Sequence, residues 1–306
     1  MAPSLFGVFG SADELAGIDP IWFPAMAALQ AGVFACMCVL QRLALHGPPW
    51  RPVIASFLAA NALSKIAPAG GAVGSALQYR MLVEAGLSRG PVAAGVTASN
   101  LLTFAVVLAL PVFAIPAFVR GAVDRELVEA TLVGIGAFAL LFATAALLLA
   151  FDRYLAWLGR TVQRVRNRVR PHAEPLRGLP ERLLRERNRL LATLGPRWRL
   201  ALLITVGRWM LDYGTLLAAL AAVGATPSPA LVLIAFCAAQ VLAQVPFTPG
   251  GLGFVEAGLT AMLALAGVSA GDALLATLAY RLFSYWLVLP LGLVGLVLQR
   301  RDVVPA

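Results

Sequence analysis

The amino-acid sequence predicts an all-α polytopic membrane protein with five to seven spans. Two helical hairpins broken by proline and glycine complete the predicted fold, in an inverted-repeat arrangement. Hydrophobic residues make up 60% of the 306 residues and charged residues only 13%, against about half and a quarter in soluble domains. In addition, the excess positive charge is confined to one stretch, and two apolar stretches are interrupted near their middle. A water-soluble globular fold is therefore excluded.

Five apolar segments are long enough to cross a bilayer, since a spanning helix needs about 20 residues. They cover residues 21–45, 92–119, 127–151, 200–223 and 273–298. Residues 1–20 carry three acidic residues and no basic one. A signal peptide begins with basic residues, so this stretch is predicted to be an N-terminal tail. Pro111, Pro116 and Pro290 predict kinks in their helices.

Two further apolar stretches, 53–86 and 231–266, contain helix-breaking sequences: PAGGAVG at 68–74 and PFTPGGLG at 246–253. Proline and clustered glycines do not continue a helix. Each break leaves arms of roughly 15–18 residues, and one arm is short for a full span. Unpaired backbone is tolerated at membrane depth only inside protein or beside a wet cavity. Re-entrant hairpins are therefore predicted, and two tilted spans per stretch are the alternative.

Residues 152–199 contain 13 arginines and four acidic residues, so this stretch alone accounts for the net charge of +9. Between apolar segments, the positive-inside rule predicts a cytoplasmic linker, with anionic lipid headgroups as secondary partners. Hairpin 53–86 then opens inward and hairpin 231–266 opens outward, which is the inverted repeat typical of transporters. The predicted divisions are the tail 1–20, the first membrane half 21–151, the basic linker 152–199, the second membrane half 200–298 and a cytoplasmic tail 299–306.

Several functional classes are disfavoured by missing motifs. The sequence contains no HExxH, no Walker P-loop and no GxSxG motif, which argues against metal-dependent hydrolysis and self-contained ATP coupling. Cys36, Cys38 and Cys237 lie in apolar runs, where cysteine usually packs as a small apolar residue. No cofactor or metal is expected. Nucleic acid is not an expected partner, because few aromatic residues are interleaved with the arginines.

The glycines of the two breaks are candidate substrate contacts. They are Gly70, Gly71, Gly250, Gly251 and Gly253. A helix that restarts after each break exposes unpaired N–H groups and a partial positive charge, and glycine lets a phosphate approach the backbone. The sequence therefore predicts an anion site where the two breaks lie. The alternative is that these glycines only permit close helix packing.

Ionisable residues inside the apolar segments are the second group of candidates. They are Lys65, Arg208, Asp212, Glu256 and Arg281. Each costs at least about 2.5–3.5 kcal/mol if it faces lipid unpaired, so each must face a cavity, a partner or a ligand. Arg281 is the best candidate for a phosphate clamp, because guanidinium binds phosphate in a bidentate manner. A structural salt bridge with Glu256 is the alternative, as is simple pairing of Arg208 with Asp212 at i,i+4.

Polar residues near the breaks complete the predicted site. Gln240 and Gln244 precede the second break, Arg80 follows the first, and Tyr285 follows Arg281 by four positions. For Arg80 the alternative is snorkelling to the membrane interface, and for Tyr285 it is packing. Glu256 has a further alternative role, because it lies in the first turn after the break and is able to cap its own helix.

The segment PGGLGFVE at 249–256 resembles the PGGxGxxE hallmark of the flippase-like family that includes the transmembrane region of lysylphosphatidylglycerol synthases. The stretch from Asn61 through the first break to Leu82, and RLFSYW at 281–286, resemble further parts of that family, as does the helix with Asp212. The resemblance covers roughly residues 30–298. Ser75 stands where the family often has an acidic residue, and no stretch is long enough for the cytosolic aminoacyl-transfer domain of the synthases.

The resemblance implies an integral, bacterial inner-membrane flippase-like protein without a synthase domain, which is not an enzyme. The expected partners are membrane lipids: an anionic or aminoacylated phospholipid or a polyprenyl phosphate. Homo-oligomerisation is left open. A small-solute secondary transporter and a lipid-linked transferase are the alternatives, although no nucleophile–base set is visible in the sequence.

Overall fold

The computed structural model describes residues 19–110, 151–169, 178–182, 184, 185, 188, 195–243 and 249–303. Within these ranges the fold is all-helical, as predicted. The predicted N-terminal tail up to residue 18, most of the segment 127–151, and Gln244 fall outside the described residues. The same holds for much of the basic linker.

The first half contains four helices: α1 (Trp22–Ala44), α2 (Trp50–Ile66), α3 (Gly70–Glu84) and α4 (Arg89–Ala109). The predicted break 68–74 is shorter in the structure, because residues 70–74 already belong to α3. The chain leaves the helical conformation only between α2 and α3, where Ala69 adopts a left-handed conformation with φ 54°. The predicted segment 92–119 begins earlier, at Arg89, directly after the extended N-cap residue Ser88.

The second half begins after the basic linker helix α5 (Asp152–Val169). Its helices are α6 (Trp198–Ala222), α7 (Pro229–Leu242), α8 (Phe254–Leu265), α9 (Ala270–Arg281) and α10 (Val288–Val303). A short 3₁₀ turn, Pro249–Gly251, lies in the second predicted break.

The predicted segment 273–298 is interrupted by a π-helical turn, Leu282–Trp286, which joins α9 to α10. Pro290 was predicted to kink this helix. Because proline has no N–H, the carbonyl of Trp286 four residues earlier loses its α-helical partner. The irregularity accordingly lies on the N-terminal side of the proline.

Four helices in the described ranges are long and apolar enough to cross a membrane: Trp22–Ala44, Arg89–Val107, Trp198–Ala222 and Ala270–Gln299. The helices next to the two breaks are shorter, with 17 and 15 residues in α2 and α3 and 14 and 12 in α7 and α8. At about 1.5 Å per residue they are roughly 18–26 Å long, less than the ~30 Å hydrocarbon core. The protein is thus a multi-pass membrane protein.

Small residues set the packing between the two halves. Gly32 of α1 lies against Leu211 of α6, and Gly214 lies against Leu29, so these helices run antiparallel. On the other side, Gly295 of α10 packs on the backbone of Ala55 in α2. The order of a long helix, a broken helix pair and a long helix therefore occurs twice. Each half begins with a long helix, α1 or α6, and these two helices are antiparallel.

Candidate functional site

The two breaks meet inside the protein. A Cβ atom added at Gly250 would lie 2.6 Å from the carbonyl oxygen of Lys65 and would overlap the ring of Tyr285. Gly250 also has φ 59°, a conformation that favours glycine. Lys65 is the penultimate residue of α2, directly before the first break. Gly250 therefore has a steric reason to be glycine, because only a residue without a side chain allows this backbone contact.

Arg281 is held by the second break. Its Nε donates a hydrogen bond of 2.6 Å to Oε1 of Glu256, and its Nη2 donates one of 3.3 Å to the carbonyl of Gly250. The guanidinium also lies 4.6 Å from the centroid of the Tyr285 ring. Arg281 is only 4% exposed. The salt bridge with Glu256 that was left open as an alternative is thus observed, while phosphate binding by Arg281 stays a prediction.

Glu256 has two roles in the structure. While Oε1 pairs with Arg281, Oε2 accepts a hydrogen bond of 2.7 Å from the backbone N–H of Gly253. Gly253 precedes the first residue of α8 and has φ 85°. The carboxylate therefore caps its own helix, where a negative charge is favourable, and neutralises the arginine of α9 at the same time.

A second polar cluster surrounds Asp212 on α6. Its Oδ1 accepts hydrogen bonds from Nε2 of Gln30 at 2.9 Å and from the hydroxyl of Tyr280 at 3.1 Å. Gln240 in turn donates to the Tyr280 hydroxyl at 2.9 Å. Arg208 lies 3.9 Å from Oδ2, at the limit of an ion pair. Asp212 thus joins α1, α6 and α9, and the neutral hydrogen bonds are better formed than the contact with Arg208.

Two cations at this site retain donors that no described residue uses. Nε and Nη1 of Arg208 are buried and have no hydrogen-bond partner in the described ranges, while the guanidinium stacks 3.5 Å from the centroid of Trp209. The ammonium group of Lys65 lies 5.7 Å from the centroid of Tyr285, and among the described side chains no carboxylate forms an ion pair with it. Unsatisfied buried donors are costly, so both cations favour an acceptor.

A cavity of about 70 Å³ lies between these groups. Its lining is formed by Gln30, Val33, Phe34, Asn61, Lys65, Arg208, Asp212, Gln240, Ala243, Val255, Tyr280, Arg281, Ser284 and Val288. A buried water needs roughly 10–15 Å³, so the cavity has room for several. Three cations and one carboxylate line it. After Glu256 is counted against Arg281, one positive charge remains in excess.

Seven of the predicted residues lie at the cavity, while Gly251 and Gly253 of the second break do not line it. Arg281, Arg208, Asp212 and Gln240 line the cavity, and Glu256, Gly250 and Tyr285 contact its lining. Gly251 is buried against Ala243 and Val255 in the second break, with φ 72°. Gly253, two residues after Gly251, is exposed.

The residues predicted at and near the first break, Gly70, Gly71 and Arg80, do not line the cavity. A Cβ at Gly70 would overlap the carbonyl of Ser64, which fits the close-packing alternative, whereas Gly71 has open space around it. Arg80 is exposed on α3 and pairs with Glu84 at 2.7 Å. The structure therefore does not bring Arg80 to the cavity, and its position fits the snorkelling alternative.

The lining also contains polar residues that were not predicted as contacts, among them Gln30 and Tyr280. Gln30 is the single strongly polar residue in the middle of α1, and this isolated amide was a usable signal. Nothing in the sequence marks Tyr280, whose hydroxyl bridges Gln240 and Asp212. For Lys65 the sequence predicts a buried charge without indicating its partner. Its place beside the second break depends on contacts across more than 180 residues, which sequence spacing does not reveal.

Comparison with known proteins shows that the chain is similar to membrane proteins. A family model described as the lysylphosphatidylglycerol synthase TM region matches residues 4–292. A UPF0104 membrane protein of Methanothermobacter thermautotrophicus is 30% identical over 94 residues, which are 31% of this chain and 27% of that protein. The match thus spans about a quarter of the relative's length. No solved structure gives a significant match.

Proposed function

On the premise that the chain belongs to the lysylphosphatidylglycerol synthase transmembrane-region family, we propose that it translocates a phosphate-bearing lipid across the membrane. The lipid is a phospholipid, anionic or aminoacylated, or a polyprenyl phosphate. The observation that carries the proposal is the cavity beside the meeting of the two breaks, with its excess positive charge. Charged groups inside a membrane bundle are typical of substrate pathways.

The phosphate is proposed to bind Lys65 and Arg208. Both cations line the cavity, and Arg208 has two buried N–H groups without a partner among the described residues. Arg281 is the weaker donor for this purpose, because Glu256 and Gly250 already occupy it. Its proposed role is to fix the second break against α9, so that the cavity keeps its shape.

Translocation requires the breaks to separate. A cavity of about 70 Å³ holds a few waters and no lipid headgroup, so it corresponds to a closed state of the pathway. The helices beside both breaks are shorter than the hydrocarbon core, and the two halves repeat one order of helices. These features support re-entrant hairpins inserted from opposite faces and an alternating-access movement between the halves.

Three further assignments belong to the proposal. The protein resides in a bacterial inner membrane, and the basic linker 152–199 and the C-terminus are cytoplasmic, as the positive-inside rule favours. The protein acts as a transporter without its own chemical step. Energy comes from a lipid gradient or from coupled ions, because the sequence contains no nucleotide-binding motif.

A small inorganic or organic anion is the second candidate substrate. The size of the cavity favours it, since a small anion needs less opening than a lipid headgroup. The same two cations would bind it, so the two candidates differ in whether acyl chains pass beside the protein.

A reconstitution assay separates these functions. Proteoliposomes containing fluorescently labelled phosphatidylglycerol are treated with dithionite, which bleaches only the outer leaflet, and a parallel set is tested for uptake of radiolabelled phosphate. We expect bleaching beyond the outer leaflet. We also expect a rate roughly ten- to a hundredfold slower for Lys65→Ala and Arg208→Ala, since a charge-assisted contact contributes about 1.5–3 kcal/mol. The matched control is Arg89→Ala, an exposed arginine at the start of α4. Phosphate uptake without lipid movement would instead support the small-anion transporter.

A further inference from the structure

Helix α5 in the basic linker has two chemically distinct faces. At about 100° per residue, Tyr154, Leu158 and Val162 fall on one side, and Arg160 and Arg164 fall on the opposite side. The helix contains five arginines and one acidic residue, Asp152, for a net charge of +4. A helix with one apolar stripe is stable only when that stripe is covered.

The apolar side of α5 is exposed in the folded chain. Tyr154 and Val162 are 48% and 46% exposed, and Phe151, directly before the helix, is 52% exposed. Trp157, between Tyr154 and the arginine side, is 56% exposed. None of the other described helices packs extensively against α5. Since Tyr and Trp are enriched where protein meets lipid headgroups, the pattern indicates an interfacial surface.

We propose that α5 lies on the cytoplasmic surface of the membrane and binds anionic phospholipid headgroups. Its apolar side enters the boundary between headgroups and acyl chains, and its arginines contact phosphates. Arg166 and Arg168 lie at the borders of the apolar side, where long basic side chains reach headgroups. A second copy of the chain fits less well, because two helices of charge +4 repel each other.

The proposal stands on a different surface from the transport cavity. It follows from the charge and exposure of α5, and only the choice of the cytoplasmic face rests on the proposed orientation. It holds whether the cavity carries lipid or a small anion. Functionally, α5 anchors the linker between the two membrane halves, and the anchoring strength depends on the anionic lipid content. Each arginine near an anionic surface contributes roughly a factor of five in binding.

The test places an environment-sensitive NBD fluorophore on each side of α5 in the full chain. Val162→Cys reports on the apolar side and Arg160→Cys on the polar side, in a background in which Cys36, Cys38 and Cys237 are replaced by alanine. The protein is reconstituted into nanodiscs of phosphatidylcholine alone, or with about a third phosphatidylglycerol. Lipids that carry a doxyl quencher high on the acyl chain report direct membrane contact.

We expect the probe at position 162 to be quenched and blue-shifted in the anionic nanodiscs, and less so in the neutral ones, while the probe at 160 stays water-exposed. Water exposure of both probes in anionic nanodiscs would overturn the proposal. Protection at 162 without doxyl quenching would also overturn it, because another protein surface would then cover the helix. Tyr154→Cys, eight positions earlier on the same side, repeats the measurement if Val162→Cys does not fold.

Discussion

The hydroxyl of Tyr285 donates a hydrogen bond of 2.9 Å to the carbonyl of Lys65, 220 positions earlier in the chain. Because Lys65 lies directly before the first break, this carbonyl is at the end of α2, where helical partners are missing. The ring of the same tyrosine contacts Gly250 and the guanidinium of Arg281. One side chain thus connects both breaks and the arginine of α9.

The contact at Gly250 predicts that its replacement is destabilising. Gly250→Ala places a methyl group 2.6 Å from the Lys65 carbonyl and forces alanine to φ 59°. We expect a loss of about 1–3 kcal/mol in the free energy of unfolding, seen as a lower melting temperature in detergent. Gly71→Ala is the matched control in the other break, where nothing lies within 4 Å. Equal melting temperatures for the two variants would contradict the packing of the breaks.

The buried pair of Arg281 and Glu256 predicts strong coupling. Removing one partner leaves a buried charge uncompensated, so Arg281→Met and Glu256→Gln are each expected to cost about 3–5 kcal/mol. The double variant is expected to cost less than the sum of the two. A double-mutant cycle on the free energy of unfolding measures this coupling. Additive losses would show that the two side chains act independently.

Neutralising Asp212 is expected to strengthen anion binding in the cavity. Asp212→Asn keeps an acceptor oxygen for Gln30 and Tyr280 but raises the cavity charge by one. The measurement is the increase in melting temperature that phosphatidylglycerol produces, compared with phosphatidylcholine as a neutral reference. We expect a larger increase than in the unaltered protein, and a smaller one for Arg208→Gln. The reverse order would place the anion elsewhere.

The close contact between α10 and α2 predicts that a side chain larger than that of glycine at position 295 destabilises the protein. An added Cβ would lie 2.7 Å from the Ala55 carbonyl and 2.9 Å from the Ala59 nitrogen, and both atoms belong to a helix backbone that has little room to shift. Gly295→Ala is expected to lower the melting temperature by several degrees, since overpacking costs about 1–3 kcal/mol. Gly207→Ala, inside α6 with open space, is the comparison. A Gly295→Ala protein as stable as Gly207→Ala would rule out this close contact.

Much of the fold could be predicted because a bilayer restricts the chain to long apolar helices, and proline and glycine mark the points where helices stop. The Arg281–Glu256 pair was predictable as an alternative, since two buried charges of opposite sign favour each other. Gln30 and Lys65 were harder to assign. Their partners come from distant helices, and the apolar sequences of those helices carry no periodicity that fixes which face turns inward. For Arg80 the partner is local, because Glu84 one helical turn later forms an ion pair with it at the surface.

The π-helical turn Leu282–Trp286 separates two parts of one long helix that have different neighbours. On one side, α10 packs closely on α2 through its glycines, and on the other, α9 packs against α6 and α8. A turn with irregular hydrogen bonding is the point where a helix bends most readily between two differently packed parts. We therefore expect it to act as the hinge, so that bending at Tyr285 would release Lys65 and Gly250 in a single movement.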